Sequence, residues 1–436
     1  MSVKDPISLI AAFADAIQKN TPAALGKKPI AHVTLAVSGG GDSMALMHLA
    51  AQWASARGIR CHVVTIDHGL RTASAAEAQF VAQAAAGLGL THKTLCWADW
   101  NGQGNLQDQA RQARYRLIDD ARGDCRLVLM GHTLDDQAET FLMRLKRGSG
   151  VDGLAGIPAC RFVGSTAQDD GYWVLRPLLG IQRQALRDYL NQQNAQWVED
   201  PSNQDPSYER IQMRQLLNEI SGAGLGASVL AETATRMAQA KEVLDQQFQR
   251  LACDLVQEHH GDIAIDLPVL FKQPTELADR LVAAALCWVS SNPYRPRYAA
   301  LRRCLDAAAG GAAQSLHGCV LYQWKGRLRI TREYQAVANM SVALAQKVLW
   351  DCRWHLRLAQ PVPPKASGWV VKPLGEAGAQ AARPFLTSDI PFRSLTSHPA
   401  LFDQSGVLQT VPGLSKNPPF EAEFDLRPFD QSLINH

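Results

Sequence analysis

Val33-Thr34-Leu35-Ala36-Val37-Ser38-Gly39-Gly40-Gly41-Asp42-Ser43-Met44 decides the fold of the N-terminal half. Residues 33–37 form an apolar run of strand length, and 44–56 have the texture of a helix. A glycine-rich turn between strand and helix is a phosphate cradle. Its backbone N–H groups approach phosphate oxygens closely, and the helix N-terminus adds positive potential. Ser38 and Ser43 add hydroxyl donors, and Asp42 is placed to hold a metal bound to phosphate. No Lys follows the last glycine, so the G-x-x-x-x-G-K-[ST] fingerprint of γ-phosphate chemistry is absent. The G-x-G-x-x-G spacing of dinucleotide sites fails as well.

Outward from this loop, strand-like runs recur at 61–66, 92–97, 126–130 and 173–178. Helix-like stretches alternate with them at 75–88, 106–121, 134–147 and 182–193. Alternation of this kind predicts βαβ units and a parallel sheet covered on both faces, with ligands at the carboxyl ends of the strands. Residues 1–20 read as an amphipathic capping helix, with Lys4 and Asp5 among its polar residues. At 221–226 the texture changes, and helical patterns follow over 227–256, 275–289 and 297–309. A hairpin is expected around Lys325-Gly326, then a Pro-rich remainder with short strand-like runs at 369–371 and 407–411. A chain of 436 residues exceeds one ordinary core. The expected organisation is a catalytic domain at 1–220, a helical domain at 221–312 and a small α+β or mostly β domain at 313–436.

The net charge of +3 diagnoses nothing alone. Residues 280–360, however, hold twelve Lys/Arg against three Asp/Glu, an excess that suits a polyanion partner. Nine cysteines, an odd number with no C-x-x-C pair, argue against a disulfide framework and against zinc or iron–sulfur sites. No apolar run reaches the length of a membrane span, and a reduced, cytoplasmic setting is expected.

Four further segments carry candidate chemistry. Gly131-His132-Thr133-Leu134-Asp135-Asp136-Gln137-Ala138-Glu139-Thr140 runs from a strand end into a helix. His132, Asp135 or Asp136, and Glu139 share one face, so a cation or an amine is needed among the carboxylates. That cation is either Mg²⁺ or a substrate ammonium. Asp67-His68-Gly69-Leu70-Arg71 follows the second strand, and its His-Gly turn borders the place for a purine. Arg111 and Arg114 stand at i, i+3 in Ala110-Arg111-Gln112-Ala113-Arg114-Tyr115, fit to stabilise a transferring adenylyl group. Glu199-Asp200-Pro201-Ser202-Asn203 is a turn by composition, and Arg210 and Arg214, at i, i+4 beyond it, suit a phosphate backbone. The Asp- and Gly-rich segment 166–171 reads as a loop without an assignable role.

S-G-G-G-D-S resembles the pyrophosphate loop of the PP-loop ATP pyrophosphatases. In one order over about 180 residues stand that loop, D-H-G-L-R, A-R-x-x-R-Y, G-H-T-L-D-D-Q-A-E-T with Leu145-Lys146-Arg147-Gly148-Ser149-Gly150, Arg176-Pro177-Leu178-Leu179 and E-D-P-S-N. The series resembles the long form of the tRNA(Ile)-lysidine synthetases, specifically over 30–215. It is looser beyond, where Val371-Lys372-Pro373-Leu374-Gly375 and Val411-Pro412-Gly413-Leu414 only echo the family's last domain.

The resemblance implies a ligase using ATP and Mg²⁺. It joins free L-lysine to C2 of the wobble cytidine of the CAU-anticodon isoleucine tRNA through an adenylated cytidine. Decoding then changes from AUG to AUA. ATP is expected at Ser38, Gly39, Gly40, Gly41, Asp42, Ser43, Asp67 and His68, with the metal at Asp42. Lysine is expected at His132, Asp136 and Glu139, and catalysis at Asp42, Arg111 or Arg114, Asp136 and Glu139. Arg210, Arg214, Arg297, Arg302 and Arg303 are expected on tRNA. A monomer or homodimer is implied, with no membrane partner. Two departures stand out: Ile211 replaces the family's usual Asn, and Asp67 stands where Asn is common. The competing readings are another PP-loop tRNA-modifying enzyme, such as a thiolase, a synthetase amidating a small acid, and a nucleotide-binding RNA adaptor that has lost chemistry. The first lacks the clustered cysteines of the iron–sulfur types. The second leaves the basic region without a purpose.

Overall fold

The computed structural model describes residues 6–25, 30–69, 74–98, 100, 106–164, 171–199, 209–358, 362, 364–386, 390–416, 422–426 and 428–432. Lys4, Asp5, Leu70, Arg71, residues 166–170 and the D-P-S-N turn lie outside them. Two compact units divide the chain, Met1–Glu242 and Val243–His436.

Unit 1 is built on a six-stranded sheet. Its strands are β1 (His32–Ala36), β2 (Arg60–Asp67), β3 (Thr91–Cys96), β4 (Leu127–Met130), β5 (Cys160–Val163) and β6 (Tyr172–Leu175). The order is β3-β2-β1-β4-β6-β5, and all neighbours are parallel except the edge pair β5/β6. The expected parallel α/β sheet is therefore present, with an antiparallel hairpin strand that sequence reading did not anticipate. β5 is four residues long and only partly buried, so it shows no apolar run. β4, buried at every position, shows the uninterrupted run of a sheet covered on both faces.

Eight helices of this unit follow in chain order. They are α1 (Pro6–Asn20), α2 (Gly41–Ser55), α3 (Ser74–Gly87), α4 (Leu106–Ala121), α5 (Leu134–Lys146), α6 (Val151–Leu154), α7 (Arg183–Gln192) and α8 (Glu209–Ser221). α1 caps the core through Leu9, Phe13 and Ile17, with Phe13 edge-on to Trp53 at 6.2 Å. α5 and α8 pack through Ala138, Phe141, Leu142, Met213 and Leu217. β1 is the switch point: the chain builds outward to β3 on one side, then returns to place β4 on the other. The crevice of such a sheet opens there, at the strands' carboxyl ends. Gly131 lets the end of β4 meet the start of α2. A Cβ at Gly131 would stand 3.0 Å from the Asp42 carbonyl oxygen and 3.2 Å from Ser43 Cα.

The helix α9 (Ala227–Leu255) carries the chain into unit 2. There the expected helical domain at 221–312 needs correction. Val256–His259 and Asp262–Asp266 form a hairpin in a five-stranded sheet with Arg327–Arg332, Cys319–Trp324 and Gln314–Leu316. The boundary expected at 312 thus falls inside one folded body, whose helices Thr275–Ser290 and Tyr298–Ala309 pack on that sheet. The first hairpin strand is mostly exposed, so its sequence lacks the alternation that announces strands. Beyond it lie a four-stranded and a three-stranded antiparallel sheet, in keeping with a mostly β ending.

His398 sits wholly inside this unit, its ring 4.9 Å from that of Trp354 and its Nδ1 3.0 Å from the Pro399 carbonyl. Burial, with His260 and Arg353 nearby, pushes its pKa down to about 4. The unfolded chain holds this proton near pH 6.5, so the stabilising effect is complete above that pH and lost as pH falls toward 4. Urea unfolding at pH 7, 5.5 and 4.5 should show wild type losing up to about 3 kcal/mol more than His398→Gln; parallel losses in both proteins would refute the assignment.

Candidate active site

The glycine-rich turn behaves as its residues demand. Gly39 adopts φ +90°, a conformation that side chains with Cβ resist. The Ser38 N–H donates to Ser43 Oγ at 3.1 Å, and the Ser43 hydroxyl donates to the Gly40 carbonyl at 2.8 Å. α2 begins at Gly41, and its first-turn N–H groups have no partner within the helix. The irregular segment at 195–199 lies against the turn. The Val198 N–H donates to the Gly39 carbonyl at 2.9 Å, and the Trp197 indole lies 3.5 Å from where a Cβ on Gly41 would stand.

Facing the turn is the N-terminus of α5. Thr133 and Asp136 form a capping box, in which Asp136 Oδ2 accepts from the Thr133 N–H at 2.8 Å. Asp135 caps the neighbouring helix instead, accepting the Arg183 N–H at 2.7 Å. Asp136 Oδ1 and Glu139 then share one face, as the spacing requires. Their cation is supplied by the chain itself. Arg183 donates through Nε to Asp42 at 2.9 Å, through Nη2 to Asp136 at 3.2 Å and through Nη1 to Glu139 at 3.2 Å. Arg214 Nε donates to Glu139 Oε1 at 2.9 Å, and Arg210 Nε lies 3.1 Å from Glu139 Oε2. Glu139 itself has no solvent exposure.

Electrostatics follow from this packing. Burial pushes the Asp136 carboxyl upward, but Arg210, Arg183 and the Thr133 N–H outweigh it and hold the carboxyl below its usual value. Asp42 goes the other way, because burial exceeds the help it receives from Arg183. Burial alone would lower the Arg183 pKa; Asp42, Asp136 and Glu139 reverse that and raise it. His132 is driven to about 4 by burial and by Arg176, so it is neutral at neutral pH. Its Nδ1 is buried with no hydrogen-bond partner.

Asp42, His132, Asp136, Arg183, Arg210 and Arg214 line one cleft of about 750 Å³. Of the residues expected at ATP, Ser38, Gly40, Gly41, Asp42, Ser43 and His68 reach it, and so do Arg114, His132 and Asp136. Gly39 shapes the turn from behind. Asp67 makes an Asx turn, accepting the Gly69 N–H at 2.8 Å, so the acceptor that Asp shares with Asn is the atom in use. Arg111 is exposed, its guanidinium 5.5 Å over the Tyr115 ring and outside the cleft lining, which leaves Arg114 as the member of that pair at the site.

Three sets of expected residues are placed as follows. Glu139 lies behind the cleft wall and is held by three arginines, because a buried carboxylate must be compensated. Arg210 and Arg214, expected on a phosphate backbone, pair with that carboxylate and also line the cleft. In unit 2, Arg302 is engaged by Asp279 at 2.8 Å and Asp306 at 3.4 Å, whereas Arg297 and Arg303 are exposed. Arg183 was missed altogether. Its signal was an arginine in the first turn of a helix, where the dipole disfavours a cation unless carboxylates hold it there.

A model of the PP-loop domain family matches residues 13–220. The tRNA(Ile)-lysidine synthase of Ruegeria pomeroyi is 40% identical over 412 residues, covering 94% of this chain and 95% of the relative. That of Wolbachia pipientis is 35% identical over 334 residues, covering 74% and 76%. That of Hyphomonas neptunium is 37% identical over 275 residues, covering 62% and 72%. With a pyrophosphate turn opposite a buried carboxylate–arginine constellation, and with near-complete coverage by a curated relative, this chain belongs to the tRNA(Ile)-lysidine synthase family.

Proposed function

We propose that the cleft adenylates C2–O of the wobble cytidine of a CAU-anticodon isoleucine tRNA and then joins L-lysine to that carbon. The observation that carries this reading is the placement of an ATP-type pyrophosphate turn and the His132–Asp136 corner in one cleft. In the first step the cytidine O2 attacks the α-phosphorus and the bond to pyrophosphate breaks. The N–H groups and hydroxyls of Ser38–Ser43 receive the leaving pyrophosphate. Arg114, on α4 at the cleft wall, offsets charge growing on the α-phosphate. In the second step the lysine ε-amine attacks C2, AMP leaves, and the amine gives up a proton.

Mg²⁺ fits Asp42 as a cation shared with phosphate. Asp42 is a desolvated cleft carboxylate, and no group of three or more His, Cys, Asp or Glu among the described residues offers an all-protein cage. Asp42 would hold the ion, which would supply positive charge beside the triphosphate. Asp136 is the carboxylate that presents Oδ1 to the cleft, and it is assigned to the lysine ammonium. His132, neutral at neutral pH, lines the same corner. Glu139 is assigned to holding Arg210 and Arg214 in place.

The basic excess of 280–360 is smaller at the surface than in the sequence. Arg280, Arg329 and Arg353 are buried, and Arg302 and Arg332 are paired with carboxylates. Arg297 and Arg303 remain exposed and are assigned to tRNA. No helix among the described residues is long and apolar enough to cross a membrane.

Incubating the protein with ATP, labelled lysine and CAU-anticodon isoleucine tRNA should give lysine-labelled tRNA, AMP and pyrophosphate. No label on the tRNA, with folded protein, sinks the proposal. Asp136→Asn should raise the KM for lysine on the order of 10-fold or more, with a smaller effect on tRNA-dependent ATP–pyrophosphate exchange; equal losses in both would move Asp136 to the adenylation step. Charge reversal at Arg297 and Arg303 should weaken tRNA binding and flatten its dependence on salt. An unchanged salt slope would remove both from the interface.

A further inference from the structure

Three aromatic rings run from the cleft to the surface of unit 1. His68, at the end of β2, lines the cleft. Trp97, just past β3, is edge-on to it at 5.7 Å and 89°, and its backbone N–H donates to the Asp67 carbonyl at 2.8 Å. Trp100 continues the series, 6.2 Å from Trp97 and tilted by 38°. Trp97 is buried, whereas Trp100 is 41% exposed. A large indole left in water beside a buried one is a surface with capacity for a flat partner. All three rings sit at the carboxyl ends of neighbouring parallel strands, where this sheet type gathers ligands.

We propose that Trp100, backed by Trp97 and His68, is a stacking platform for an unpaired nucleobase of the tRNA anticodon loop. This rests on the proposed tRNA substrate. A base whose C2–O must reach an α-phosphate has to leave its neighbours' stack, and aromatic side chains replace that stacking without regard to sequence. Trp100 lies outside the cleft lining, so it serves positioning and binding of RNA and not ATP chemistry.

The test compares wild type, Trp100→Phe and Trp100→Ala in binding a synthetic anticodon stem-loop RNA bearing CAU, across a salt series. Trp100→Ala should bind on the order of 10-fold more weakly, with the salt slope of wild type, because stacking releases no counterions. Trp100→Phe should retain most of the affinity, and ATP affinity should be equal in all three. Stem-loop binding by Trp100→Ala within twofold of wild type overturns the platform. So does a flattened salt slope, or a change confined to the oligomeric state. If wild type fails to bind the stem-loop, the platform also falls. If wild type binds it but forms no lysidine on full tRNA, the functional reading fails while the stacking comparison still stands.

Discussion

The cleft depends on one constraint, the burial of Glu139. A carboxylate with no access to water is tolerated only beside positive charge, and here three guanidinium groups surround it. Those arginines come from α7 and α8, elements far from α5 in sequence. Glu139 therefore recruits two helices to the face of α5, and the apolar contact of Phe141 and Leu142 with Met213 and Leu217 completes the joint. Arg183 extends the same network to Asp42 on the opposite wall. The pyrophosphate turn and the α5 N-terminus are thus held at a fixed separation by charge as well as by the close approach at Gly131.

That network changes what the acidic face means. Carboxylates at i and i+3 announce a need for a cation, and the need is real. A sequence alone does not say whether the cation is a metal, a substrate ammonium or another side chain. The structure fills most of the need with arginine and leaves Asp136 as the carboxylate that both touches the network and opens to the cleft. A ligand cation arriving there would meet a site whose charge is already nearly balanced. It would have to share Asp136 with Arg183 and Arg210, so recognition would turn on geometry more than on net attraction.

Legibility followed locality. The glycine turn, the parallel strands and the helices between them were readable because each is set by residues within its own segment. Leu106–Ala121 and Leu134–Lys146 emerge where their periodicity places them. Arg183 was not readable, since its function lies in partners at positions 42, 136 and 139. β5 and the strand Val256–His259 were not readable because short edge strands with solvated faces leave no alternating pattern. The places of Arg111 and Arg114 relative to the cleft separated only when the helix orientation was known.

The basic region teaches the same lesson about charge. Its excess of positive residues was counted in a window, but Arg280 pairs with Asp245 and Glu276, Arg302 with Asp279, and Arg329 with Asp262. All of those carboxylates lie before residue 280. A window in sequence assigns a cation to solvent when its partner is merely elsewhere in the chain. Arg295, Arg297, Arg303, Lys325, Lys347 and Arg357 remain exposed, and Arg295, Arg297 and Arg303 lie in one stretch with the exposed Tyr294 and Tyr298. Rings beside guanidinium groups offer stacking as well as phosphate contact, so the proposed tRNA contact there does not depend on net charge alone.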